Sequence, residues 1–162
     1  MQYDLLASAL EHEHHEIDAG IAAFAAAPTD RQPLTRAANA LRRHIYLEEE
    51  FLFPLLCRAE PGLVAAVFVM LREHAQIWDT LDALDHATDA DTGAVRTPLK
   101  QLTVQLLHHN LKEEKILYPR ADDLLSPAAT ARLREFLAAA ELPDGWVCVR
   151  ARPASRSHES AG

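Results

Sequence analysis

Positive charge is scarce in this chain: 16 Lys and Arg stand against 24 Asp and Glu in 162 residues, a formal net charge of −8. That balance argues against a nucleic-acid binder, which needs a basic face. Long apolar runs are lacking too. The longest, Leu63 to Leu71, falls far short of the roughly 20 residues that cross a bilayer, so no membrane partner is expected. No Arg or Lys precedes Arg31, and the N-terminal stretch therefore lacks the positive region of a secretory signal or transit peptide. The expected location is the cytoplasm. Two cysteines, Cys57 and Cys148, are too few for a disulfide framework and are not spaced as a metal knuckle. Only five glycines occur, and none builds a phosphate-cradling loop, a Gly-x-Ser-x-Gly elbow or a dinucleotide fingerprint. Nothing marks a pocket for an organic substrate.

What is present is an ordinary single-domain composition, 49% hydrophobic and 25% charged, rich in Ala, Leu, Glu and Arg and without period-two runs of β-branched residues. This is an all-α composition. Breakers at Pro28 to Pro33, Glu60-Pro61-Gly62, Thr88 to Gly93 and Ser126-Pro127 leave helical segments near 3–27, 34–59, 62–87, 96–124 and 127–141. Ser126 and Pro127 form an N-cap and first-turn pair for the last of them. Four long helices joined by short loops predict an antiparallel up-down four-helix bundle with an additional C-terminal helix and a polar tail. The expected division is 1–145 for the bundle with its fifth helix and 146–162 for the tail, where His158 is expected to be solvated. Only 3 Lys accompany 13 Arg, a bias that points to a GC-rich bacterial genome. The run Leu63 to Leu71 predicts either a dimer contact or burial under the fifth helix, so the chain is expected to be a monomer or a homodimer.

Nine histidines are the anomaly. The apolar stripes read Leu10, His14, Ile17, Ile21, Phe24 in the first helix and Leu41, His44, Glu48, Phe51, Leu55 in the second. The third gives Val67, Leu71, His74, Trp78, Leu81, and the fourth Leu102, Leu106, His109, Glu113, Ile116. Polar residues thus stand in the middle of every seam. The chain also repeats itself: His-x-x-x-Glu-Glu, two residues, Leu, aromatic, Pro runs from His44 to Pro54 and again from His109 to Pro119. Glu13-His14-x-x-Ile17 matches Glu73-His74-x-x-Ile77. Two copies of one helical hairpin therefore face each other about a pseudo-twofold axis.

His44 and Glu48 lie one turn apart on one face, as do His109 and Glu113. With His14 and His74 they bring four imidazoles and two carboxylates into one core. Two buried carboxylates need a cationic partner, which a metal ion supplies directly. Mixed imidazole and carboxylate ligation suits iron, manganese or zinc, and the symmetry favours two metals over one. A ferritin-type Glu-x-x-His pattern fails, because Leu41 and Leu106 hold the required positions. By helical phase His15 and His108 lie about 100° from His14 and His109 and are expected at the surface or behind the ligands. The repeated Glu-His alignment selects His14, with His15 its competitor, His108 a weaker one to His109, and Glu49 a candidate additional ligand. His12, Glu114 and the other flanking groups are expected at the surface or behind the ligands. Pro54 and Pro119 remove a backbone donor and should bend their helices.

These residues resemble the hemerythrin-like family, the HHE cation-binding domain: one His on the first helix, His-x-x-x-Glu on the second, one His on the third and His-x-x-x-Glu on the fourth. The resemblance covers roughly residues 8–122. It implies a non-haem centre of two iron ions, with manganese or zinc less favoured. His14 and His44 would lie on one side, His74 and His109 on the other, with Glu48 and Glu113 as bridging carboxylates. Oxygen-carrying members have a second histidine four residues after the third-helix one; here that residue is Trp78, read as a packing residue. The missing imidazole loosens the link to oxygen carriage. What the resemblance implies is binding of dioxygen, peroxide or nitric oxide, either with catalase-like or nitric oxide-consuming turnover in stress defence, or as an oxygen or iron sensor or carrier.

Overall fold

The computed structural model describes residues 5–87 and 92–153. Its elements are α1 (Leu6–Ala26), α2 (Gln32–Leu47), a π-helical turn (Glu48–Leu52), α3 (Phe53–Ala59), a 3₁₀ turn (Pro61–Leu63), α4 (Val64–His86), α5 (Thr92–Lys112), a second π turn (Glu113–Leu117), α6 (Tyr118–Leu124) and α7 (Pro127–Ala139). No strand occurs among the described residues, and the chain is a helical bundle. α1 packs along α2 and α4 along α5, while α6 returns against α1 and α3 against α6. Gly20 lets α1 approach α2 closely, because a Cβ there would stand 2.9 Å from the Ala37 Cβ.

Helix ends are tied by distant side chains. The first amides of α1, Leu6 and Ala7, donate to the Asp122 carboxylate at 2.8 and 3.2 Å, which satisfies donors that no helical carbonyl reaches. Arg31 donates to the Leu84 and Ala87 carbonyls at the end of α4. Ser126 Oγ accepts from the Ala129 amide at 3.1 Å, opening α7. α7 lies on α1 and α2, so it leaves Val64, Phe68 and Val69 of the apolar run exposed, with Arg150 over the Phe68 ring. The expected burial of those residues under the fifth helix is not found.

Two apolar clusters flank a polar layer. One holds Ile17, Leu41, Ile77, Trp78, Leu102 and Leu106; the other holds Leu10, Leu52, Phe53, Leu56, Met70 and Leu117. The seam read at helical period fails beyond the glutamates. Phe51 is 40% exposed while Leu52 is fully buried, and Ile116 is 47% exposed while Leu117 is 1% exposed. Leu55 gives way to the fully buried Leu56. The cause is the π turn, in which the Phe53 and Tyr118 amides donate five residues back, to Glu48 and Glu113. One extra residue per turn moves each following position round the helix. Pro54 and Pro119, whose expected effect was a bend, stand just after these turns; each lacks the amide that a regular helix would need there. Leu117→Ala is therefore expected to cost about 2–5 kcal/mol in urea unfolding, against under about 1 kcal/mol for Ile116→Ala. The reverse order, with the larger loss at Ile116, would mean that the turn is a regular α-helix.

The expected tail does not begin at residue 146. After a turn at Gly145, whose φ of +75° suits glycine, Trp146 stacks edge-on against Trp78 and Cys148 is fully buried. An indole and a thiol have apolar surface to hide, and both find it on the bundle. His158 and residues 88–91 of the third loop lie outside the described residues.

Candidate metal centre

The layer between the two clusters contains His14, His44, Glu48, His74, His109 and Glu113, every one of them buried. They fall into two overlapping groups of metal-type donors, His14, His44, Glu48 and Glu113, and Glu48, His74, His109 and Glu113; within each group the donor atoms lie within 4.8 Å of one another. The two carboxylates are common to both. Glu48 turns Oε1 to His44 Nε2 and Oε2 to His74 Nε2, each at 3.2 Å. Glu113 turns Oε2 to His14 Nε2 at 3.3 Å and Oε1 to His109 Nε2 at 2.9 Å.

Each imidazole is fixed from behind. The Nδ1 atoms of His44, His109, His74 and His14 stand 2.7, 3.1, 2.8 and 2.9 Å from carboxylate oxygens of Glu13, Glu73, Glu49 and Glu114 respectively. A carboxylate on Nδ1 keeps the proton there and presents the Nε2 lone pair inward, the arrangement that metal-binding histidines use. Glu49 and Glu114 thus lie behind His74 and His14. His12, His15 and His108 are exposed, and Trp78 is buried among apolar side chains with Trp146 and Arg42 against its ring.

A metal fits this donor set on an observation independent of the family. Glu48 Oε2, His74 Nε2 and Glu113 Oε1 are buried and make no well-aligned hydrogen bond, although Glu48 Oε2 stands 3.2 Å from His74 Nε2 and Glu113 Oε1 2.9 Å from His109 Nε2; with the ring protons held on Nδ1, lone pairs face lone pairs there. Groups left unsatisfied in this way cost about 1–3 kcal/mol each, more when charged, unless a cation takes their lone pairs. Protons can supply part of that charge. Burial alone would lower His44, His74 and His109, yet the surrounding carboxylates hold all three above the ordinary histidine value. Burial would likewise raise Glu48 and Glu113, yet both are held below the ordinary carboxylate range by the histidines.

Sequence reasoning missed three members of the site. Glu13 and Glu73 were visible only as partners in the repeated Glu-His pair. Tyr118 was visible only as the aromatic before Pro119; its hydroxyl stands 3.0 Å from His44 Nε2, 2.9 Å from His14 Nε2, 2.6 Å from Glu48 Oε1 and 3.0 Å from Glu113 Oε2. In a regular helix a residue five positions on lies about 140° away, and the π turn brings it back over Glu113. The equivalent residue of the first repeat, Phe53, stacks on His74 with ring centroids 5.8 Å apart.

An all-helical chain with a buried His and Glu centre suited to a cation defines a class of metal-binding bundle. The chain belongs to the hemerythrin HHE cation-binding domain family, whose model matches residues 5–121. It is similar to the iron-sulfur cluster repair protein YtfE of Yersinia pestis (strain Pestoides F), 29% identical over 98 residues that cover 54% of this chain and 44% of that protein. The same values hold for the iron-sulfur cluster repair protein YtfE of Yersinia pseudotuberculosis serotype O:1b (strain IP 31758). The chain thus spans less than half the length of these curated relatives. No solved structure matches it. No helix among the described residues is long and apolar enough to cross a membrane.

Proposed function

We propose that this chain is a cytoplasmic, non-haem di-iron protein of the antiparallel four-helix hemerythrin-like type, consuming peroxide or nitric oxide in oxidative or nitrosative stress defence. Its ligands in this reading are His14, His44, Glu48, His74, His109 and Glu113. The observation that carries it is the pair of carboxylates, each aiming one oxygen at each histidine pair. That is the disposition of bridging ligands between two metals, and the curated relatives' role in iron-sulfur cluster repair supports a stress context.

Two irons would supply electron transfer and a position for a small diatomic molecule or peroxide. The chain supplies the rest. Glu13, Glu49, Glu73 and Glu114 hold the imidazole planes and their Nδ1 protons. The flanking apolar clusters keep bulk water from the layer, and its burial favours small ligands over organic substrates. Protein purified from iron-supplemented cells is expected to hold about two irons per chain and to accelerate oxygen release from peroxide, or loss of nitric oxide, beyond the same amount of free iron. One zinc, or no metal in folded protein, would overturn the reading.

A second reading, a sensor or carrier without turnover, is favoured by one contact. Glu49 Oε2 accepts the Val149 amide at 2.8 Å while Oε1 holds His74, which ties the C-terminal segment to the centre. Metal-dependent protease sensitivity of residues 127–153, without turnover, would select it.

A further inference from the structure

The two halves of the centre match in every pair except one. Glu13 with His44 corresponds to Glu73 with His109, and Glu114 with His14 corresponds to Glu49 with His74. The exception is the residue that the π turn rotates inward: Phe53 beside His74, Tyr118 between His14 and His44. The Tyr118 ring is fully buried. Its hydroxyl has one proton and two lone pairs, so it can satisfy about three hydrogen bonds, yet two ring nitrogens and two carboxylate oxygens surround it at 2.6–3.0 Å. Neighbouring ligands bound at about 2.1 Å around one ion stand about 3.0 Å apart. The hydroxyl is spaced from all four as a fifth ligand would be.

We infer that Tyr118 is a phenolate ligand of the metal held by His14 and His44, and that the centre is unsymmetrical. The inference rests on the di-iron reading above. On binding ferric iron the phenolic O–H bond breaks, an O–Fe bond forms and the proton leaves to solvent. The phenyl ring of Phe53 offers no such donor to the metal held by His74 and His109. That metal would have one protein ligand fewer, and the small ligand binds there.

The test loads the full chain and its Tyr118→Phe variant with ferric iron and records iron content and the visible and resonance Raman spectra. The wild type is expected to show a tyrosinate-to-iron charge-transfer band with phenolate ring modes. Tyr118→Phe should lose both while keeping its iron, and should release about one proton fewer per chain on loading. Tyr46→Phe, which alters a ring packed on Phe51, Phe136 and Trp146, should keep both. Should Tyr118→Phe fail to fold, wild-type protein carrying ring-deuterated tyrosine decides the matter, because the phenolate modes must shift. Azide is expected to bind the loaded wild type without bleaching the band, and bleaching would place the open position at the Tyr118 metal instead. Iron bound with no tyrosinate band would overturn the ligand assignment and leave the di-iron reading standing. No iron bound at all would overturn both.

Discussion

Replacing His44 and His109 together by alanine is expected to abolish metal binding, from about two metals per chain to none retained after desalting. The pair is chosen because each group of donors then loses one imidazole whose plane is already fixed from behind, by Glu13 and by Glu73. Weakening those rear contacts alone, with Glu13→Gln, is expected to cost about 10–100-fold in affinity. Exposed neighbours provide the contrast. His15→Ala and His108→Ala should leave metal content unchanged, since both side chains face solvent. Elemental analysis of the four proteins checks all of this, and metal lost from His15→Ala but kept in the double variant would refute the ligand set.

Stripping the metal is expected to lower the melting temperature substantially, and by more as pH rises. A ligand present at about 1,000 times its Kd stabilises by about 4 kcal/mol, equivalent to about 8–16 °C for a chain of this size. The pH dependence follows from the groups left behind. In the stripped protein His44, His74 and His109 are held above their ordinary value of 6.5. Their contribution is complete below that value and disappears as pH rises through the raised folded-state values. Glu48 and Glu113 are held below 4.5, so theirs is complete above that value and disappears as pH falls through the lowered ones. Stripped protein should therefore be most stable between about pH 4.5 and 6.5. The loaded protein behaves oppositely on the alkaline side, because metal competes with protons for the same imidazoles. Calorimetry at pH 6 and pH 8 should show the gap between loaded and stripped protein widening. A gap that narrows would mean that these residues do not hold the metal.

The sequence alone carried the helices and the polar residues of the layer, because both obey a period of 3.6: His14, His44, Glu48, His74, His109 and Glu113 all sit at seam positions. The repeated Glu-His pair favoured His14 over its competitor His15, and the structure buries His14 and His109 and exposes His15 and His108. Legibility ended at the π turns, where one residue is added and the period breaks. Phe51, Leu55 and Ile116 were assigned inward for that reason, and Tyr118 was passed over. The repeated proline was the available signal, since a helix that continues through it must do without an amide. Glu13 and Glu73 were hidden differently: one position before a seam histidine, each reaches a histidine on the next helix, a contact that no spacing within one helix encodes. Trp146 and Cys148 were assigned to a tail because arginines and small polar residues follow them.

The four rear carboxylates have one more consequence. Glu13 and Glu73 each steady a histidine of their own hairpin, but Glu49, from the first hairpin, steadies His74 of the second, and Glu114, from the second, steadies His14 of the first. Each hairpin steadies one histidine of the other, as two hands grip each other's wrists. Neither half can pre-form a competent pocket before the two dock. In the di-iron reading metal capture is thereby a late event in assembly, and the affinity measured for the ion would include the free energy of closing one half upon the other.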